Sequence, residues 1–260
     1  GAAVLAGSDG LLYSWTEGWP YAKKFINQPV TERFVKVSCG KAPCIALGES
    51  GHVYTWGAGA RGVLGHGDEK DVAEPLAVAS LLARCAVEIA AGRAHSMAST
   101  DYGEAFSWGE NARGCLGLDL AGGRRLVPCR LERPAGMAPL DGWGALSCGD
   151  AHSACVTTQG ALFTWGRGSG GQLGHGPSHL SDILVPRPVV ALEGLAVTQA
   201  VCGAAHTVVL CGTGDVYVFG TGKEEGAWPW NTQLSERLPS PAAAAGTPVR
   251  VQLYVQASNI

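Results

Sequence analysis

Long apolar runs are missing from this chain. Runs such as Val208 to Cys211 fall far short of the roughly 20 residues that span a bilayer, so no membrane partner is expected. A strong charge of either sign is missing as well. The net charge is −3 and the pI about 6.2, which leaves no global basic field to gather phosphate backbones and argues against nucleic acid as a partner. The N-terminus carries no basic segment followed by a long apolar one, so no secretory leader is expected. No Cys-x-x-Cys occurs among the nine cysteines, and neither zinc nor another metal has a ligand spacing to support it. No serine sits in a Gly-x-Ser-x-Gly elbow, and no carboxylate pair stands at useful spacing outside the repeated segments. Catalytic residues and cofactors are therefore not expected. Capped helical periods over three turns are lacking too, although Pro75 to Ala86 has room for a short helix.

What the chain has in excess is glycine, 38 residues of it, and the glycines are ordered. A seventeen-residue phrase opens on glycine and closes on an aromatic four times: Gly40 to Trp56, Gly92 to Trp108, Gly149 to Trp165 and Gly203 to Phe219. The interior length is invariant and the spacing between copies is not. One supersecondary unit is therefore repeated, with insertions confined to its connections. Within a copy, two short alternating runs flank a polar glycine-bearing turn: Glu49-Ser50-Gly51, Asp101-Tyr102-Gly103, Thr158-Gln159-Gly160 and Thr213-Gly214-Asp215. That pattern predicts β-hairpins and an all-β fold.

Each Trp is followed by a glycine-rich loop. Two of these loops satisfy Gly-x-Gly-x-x-Gly (Gly57, Gly59, Gly62; Gly166, Gly168, Gly171). A dinucleotide site would need a helix after the motif to aim N–H groups at pyrophosphate; here Leu-Gly and Pro-containing polar sequence follow. Asn111 replaces the middle glycine in the remaining loop, and because glycine and asparagine both tolerate φ > 0, a left-handed turn is expected at Gly59, Asn111 and Gly168.

Trp56, Trp108 and Trp165, with Phe219 in the fourth copy, are expected to wedge between adjacent sheets. His95, His152 and His206 follow their repeat glycines by three residues, with Pro43 in the first copy. Equivalent residues of a repeat array radiate from it, so these histidines are expected to hydrogen-bond the neighbouring unit's backbone. Cys39, Cys148 and Cys202 precede the repeat glycines where the second copy has Ala91; they are expected to be small buried thiols in an intracellular, reducing setting.

Taken together, Gly-x-x-His, a turn, then aromatic-Gly-x-Gly/Asn-x-x-Gly-x-Leu-Gly, then Pro75, Pro128 or Pro186, resembles the repeat of the regulator of chromosome condensation family. The resemblance covers essentially the whole chain when a remnant hairpin, Ala3 to Trp15, is counted. It implies a β-propeller of four-stranded blades with about five recognisable units, near 1–33, 34–84, 85–142, 143–196 and 197–260. Two architectures fit: a closed small ring, or part of a seven-bladed propeller. The alternating run Val249 to Val255 is a candidate for the missing strand and for a latch that shuts the ring. The stretch Lys223 to Thr247 replaces a glycine-rich loop; its Pro/Ala part reads as a linker, and Trp228 and Trp230 are candidate partner anchors.

The family binds partners through loops on one face of the ring. The residues directly after the repeat glycines, Lys41, Arg93, Asp150 and Ala204, would lie there and vary while the framework does not. An interaction platform within a larger protein or assembly is the leading expectation. The alternative is guanine-nucleotide exchange on a Ran-type small GTPase, the activity of the founding member. Only Asp150 carries over from that member's acidic loops, and no wedge-like inserted hairpin or basic N-terminal tail is present. A photoreceptor branch of the family carries Gly-Trp-Arg-His phrases; Lys41-Ala42, Arg93-Ala94, Asp150-Ala151 and Ala204-Ala205 stand there instead, which sets that activity aside.

Overall fold

A computed structural model describes residues 2–16, 23–24, 32–221, 246 and 248–251. Among the described residues nineteen strands form five antiparallel sheets, each a meander in chain order. The first has three strands, β1 (Ala2–Ala6), β2 (Leu12–Thr16) and β3 (Lys23–Lys24). The second comprises β4 (Phe34–Cys39), β5 (Pro43–Gly48), β6 (Val53–Gly57) and β7 (Val72–Ala77). The third holds β8 (Ala86–Ala91), β9 (His95–Thr100), β10 (Ala105–Glu110) and β11 (Arg124–Arg130). In the fourth are β12 (Trp143–Cys148), β13 (His152–Thr157), β14 (Leu162–Gly166) and β15 (Ile183–Pro188). The fifth consists of β16 (Val197–Cys202), β17 (His206–Cys211), β18 (Val216–Gly220) and β19 (Val249–Val251).

The repeated phrase is thus the second and third strands of each of the second to fifth sheets with the loop that leads into them. Pro75, Pro128 and Pro186 fall in β7, β11 and β15, the last strand of each sheet. A missing N–H is tolerated there because one side of the strand has no ladder partner. The stretch expected to hold a short helix contains a single 3-10 turn at Ala79–Leu81.

Apolar side chains do not form one core. They form slabs, one between each pair of successive sheets. Ile45, Leu47 and Val53 meet Ile89, Ala98, Phe106 and Trp108. On the other side of that third sheet, Ala90, Met97 and Ala105 meet Leu146, Cys155, Phe163 and Trp165. Ala154, Val156 and Leu162 meet Ala200, Val209 and Phe219. Val4, Ala6 and Leu12 pack with Phe34, Ala46, Tyr54 and Trp56. Alternation along a strand sends odd and even residues to opposite faces, so an inner strand such as β13 is covered on both sides and its polar residues must find partners there. Its six residues are all buried.

The stack is open. Among the described elements, packing joins successive sheets and does not join the fifth to the first in the same way. The outward face of the fifth sheet exposes Val201 and Leu210, at 50% and 37%. The described part of the run Val249 to Val255 supplies the missing strand: β19 pairs with β18 in its own sheet, Val218 opposite Val249, the place that β7, β11 and β15 take in theirs, and the rest of the run lies outside the described residues. The sheets are blades of a partial propeller. Among the described residues no helix is long and apolar enough to cross a membrane.

Candidate functional site

The candidate face begins with the repeat glycines. A β-carbon on Gly40 would lie 1.7 Å from the carbonyl oxygen of Gly92; on Gly92, 2.6 Å from that of Gly149; on Gly149, 2.5 Å from that of Gly203. Gly40, Gly92 and Gly149 are therefore required by backbone approach to the next sheet, since φ is ordinary at all three. The histidine three residues on closes the space from the other side: its ring would meet the same added carbon at Gly92, Gly149 and Gly203. Successive loops are consequently seated one against the next, and the Arg93 N–H donates to the Gly149 carbonyl at 3.2 Å.

The residues after these glycines form a row. Lys41 and Arg93 are exposed, and Asp150 and Ala204 half-buried. Arg93 Nη1 stands 3.4 Å from Asp150 Oδ2, so the one carboxylate of the row is shared with a neighbouring guanidinium. Both side chains are about half in solvent, where such a pair contributes at most about 1 kcal/mol; its effect is on the charge the face presents. Trp228 and Trp230 lie outside the described residues.

Beneath the row runs a buried polar network. His95 Nε2 lies 2.9 Å from Ser153 Oγ, and His152 Nε2 lies 3.0 Å from Thr207 Oγ1. The hydroxyls in turn donate to loop carbonyls, Ser153 to Cys115 O and Thr207 to Gln172 O, each at 2.8 Å. A hydroxyl has one proton, so it must accept from the imidazole, and each histidine is neutral with its proton on Nε2. The histidines thus bond the next sheet's hydroxyl, not its backbone as expected. A serine or threonine one residue after the next histidine was the sequence signal for it. Their Nδ1 atoms are buried without a hydrogen-bond partner. Burial lowers the pKa to about 4 at His95; at His152 burial, then the nearby His95 and His206, lowers it to about 3.

The indoles use the same carbonyls. Trp108 Nε1 donates to Val63 O and Trp165 Nε1 to Cys115 O, each at 2.9 Å, while Ser96 Oγ also donates to Val63 O. Each glycine-rich loop thereby caps the Trp of the following sheet, and Trp108 and Trp165 are fully buried.

The loops themselves correct one expectation. Gly59 and Asn111 have φ of −89° and −100°, and Gly168 is not left-handed either. The left-handed turns fall on other loop glycines, such as Gly57, Gly62 and Gly65, and among the non-glycine residues of these loops on Arg61 and Arg113, at φ 69° and 59°. Glycine is needed at 59 and 168 for space: a β-carbon would sit 1.8 Å from Lys70 O and 2.0 Å from Ser181 O. Asn111 fits because its side chain staples its own loop. Its Oδ1 accepts from Leu116 N, and its Nδ2 donates to Leu120 O.

One constellation has catalytic residue types: Ser50, His52 and Glu32. His52 Nδ1 is 3.0 Å from Ser50 Oγ, and that hydroxyl and Tyr54 OH both donate to Glu32 Oε2. Burial raises the Glu32 pKa, but the hydrogen bonds from Ser50 and Tyr54 outweigh it and the net shift is downward. The same device recurs at Asp141, whose Oδ1 takes Thr158 Oγ1, Gln159 N and Gly142 N. In both sheets the acid anchors the turn between second and third strands, which makes it architecture.

The cysteines divide. Cys148 is buried, as expected, but Cys39 is exposed; β4 faces solvent along much of its length, where β12 is covered. Among the described residues no cluster of His, Cys, Asp and Glu could hold a metal ion.

Radial four-stranded sheets joined by glycine-capped aromatics define a β-propeller module. The chain belongs to the regulator of chromosome condensation (RCC1) repeat family, whose repeat profile matches residues 50–99, 102–156 and 159–210. It is 38% identical to human HERC3 over 209 residues, 80% of this chain and 19% of HERC3. Identity to the human E3 ubiquitin-protein ligase HERC2 is 34% over 229 residues, 82% of this chain and 4% of that protein. The crystal structure of Prp20p from Saccharomyces cerevisiae superimposes with a TM-score of 0.76 at 20% identity, covering 97% of this chain and 61% of Prp20p. The chain spans a small part of its HERC relatives, and the likeness is to their repeats.

Proposed function

We propose that this propeller module is a protein-interaction platform, part of a larger protein or assembly, and that it reads its partner with the row of loops carrying Lys41, Arg93 and Asp150. The observation that carries the reading is the seating of Gly40, Gly92 and Gly149 against the next sheet's carbonyl. It presents variable side chains at fixed intervals on a rigid base, and preorganised loops bind at lower ordering cost. The HERC relatives support the larger-protein context, since this chain matches only a fraction of each.

Guanine-nucleotide exchange on a Ran-type small GTPase is the second reading. It draws on Asp150 and on Prp20p, described together with its binding to Gsp1p and histones. Exchange requires tighter binding to the nucleotide-free GTPase than to the loaded one. The Arg93–Asp150 pair and the basic Lys41 weaken that case, because an acidic contact surface is largely absent from the row.

The test has two arms. Affinity capture from cell extract, compared between the wild-type chain and Lys41→Glu/Arg93→Glu, should lose its partner with the variant. Tyr102→Ala, which alters an exposed residue in the β9–β10 turn, should retain it. Release of labelled GDP from a panel of small GTPases should not accelerate. Acceleration that disappears on Asp150→Ala would overturn the platform reading in favour of exchange.

A further inference from the structure

The first repeat glycine loop differs from the others in its sulfur content. Cys39 and Cys44 are directly opposite one another on β4 and β5, joined by Gly40-Lys41-Ala42, and their sulfurs are 2.8 Å apart. The same cross-strand pair is Ala91–Ser96 in the third sheet, Cys148–Ser153 in the fourth and Cys202–Thr207 in the fifth. Among the described repeat pairs, two thiols face each other only here.

The repeat explains why Cys44 is available. Ser153 and Thr207 each take a histidine from the preceding sheet and bind a loop carbonyl. For Cys44 the preceding sheet is the first, whose β1 opens on Ala2 where a histidine would stand. Its sulfur is turned instead to Cys39, which is exposed. Cys44 is half-buried, so the exposed Cys39 sulfur is the one an incoming disulfide reaches first. Directly opposed antiparallel residues have Cα atoms about 4.5–5.5 Å apart, inside the roughly 4.4–6.8 Å window of a disulfide. Closure needs no backbone rearrangement.

We propose that Cys39 and Cys44 form a reversible thiol–disulfide site that reacts with small-molecule disulfides of the glutathione type. The Cys39 thiolate attacks one sulfur of the oxidised tripeptide, forming a mixed disulfide and expelling one thiolate. Cys44, its proton passing to solvent, attacks the Cys39 sulfur, forms the intramolecular bond and expels the second. The two protein thiols lose two electrons and two protons, recovered as two molecules of reduced thiol. Cys148 and Cys155 are buried and raised in pKa, chiefly by burial, and stay reduced.

The sequence supplies its own readout, because trypsin cuts after Lys36, Lys41 and Arg61 and leaves Cys39 alone on 37–41 and Cys44 alone on 42–61. Folded protein is treated with oxidised glutathione, its free thiols are blocked, and it is digested without reductant. A disulfide-linked 37–41/42–61 pair is expected, with alkylation of Cys39 falling at least tenfold and returning after dithiothreitol. Cys44→Ser, which restores the hydroxyl of the other repeats, should stop at a glutathione adduct on Cys39. A persistent glutathione adduct on wild-type Cys39, linkage of Cys39 to any other cysteine, or undiminished alkylation of both sulfurs would overturn the proposal.

Discussion

At the scale of single residues, the informative atoms are those with no freedom left. Trp108 and Trp165 bury an indole and spend its N–H on a loop carbonyl of the preceding sheet, while Phe219 fills the corresponding place without a donor. Trp108→Phe should therefore fold, at a cost of about 1 kcal/mol for the lost hydrogen bond; Trp108→Ala should cost about 3–5 kcal/mol through the cavity. Urea unfolding of the two variants separates the terms. The neutral histidines make a pH prediction. In the unfolded chain they take a proton near the ordinary value of 6.5, whereas in the fold His95 waits until about 4 and His152 until about 3. Between those limits the unfolded state binds more protons, so stability is full above about pH 6.5 and declines as the pH falls toward 4, by on the order of several kcal/mol. Denaturant midpoints from pH 7.5 to 4.5 should show this slope, and it should flatten in His95→Gln/His152→Gln.

At the scale of elements, the loops between strands carry the constraint that the strands do not. Asn111 replaces a glycine without loss because its amide supplies two hydrogen bonds inside its own loop. Asn111→Ala should leave buried groups unpaired and destabilise by about 2 kcal/mol, read by thermal melting. Gly92→Ala is the steric counterpart: the new methyl would press on the Gly149 carbonyl and the His95 ring at once, and overpacking of that kind costs about 1–3 kcal/mol. The two variants test different physics at the same end of the third sheet, where the Glu110 N–H donates to the Ala94 carbonyl, and the double variant measures how far the two loops are coupled.

At the scale of the molecule, the same register position changes character along the stack. Leu47 and Val156 are 4% and 3% exposed, and Leu210 in the fifth sheet is 37% exposed, because no described sheet covers that last face. Val156→Gln should cost about 3 kcal/mol or more as an unpaired buried amide, and Leu210→Gln less than about 1 kcal/mol. Chemical denaturation of both variants checks whether the open face in the structure is open in solution.

Hairpins and aromatic wedges were legible in the chain because a fixed interval between glycine and aromatic encodes a local geometry. Each copy had only to agree with itself, and the other copies served as controls. The partner of each histidine, the reason for glycine at 59 and 168, and the exposure of Cys39 were not legible. They depend on which atoms of the next sheet arrive across the seam, and sequence spacing says nothing about distances between sheets. The meeting of Arg93 with Asp150 and the opening of the stack on its fifth face belong to the same class: both are set by how sheets pack radially, after every local preference has been satisfied.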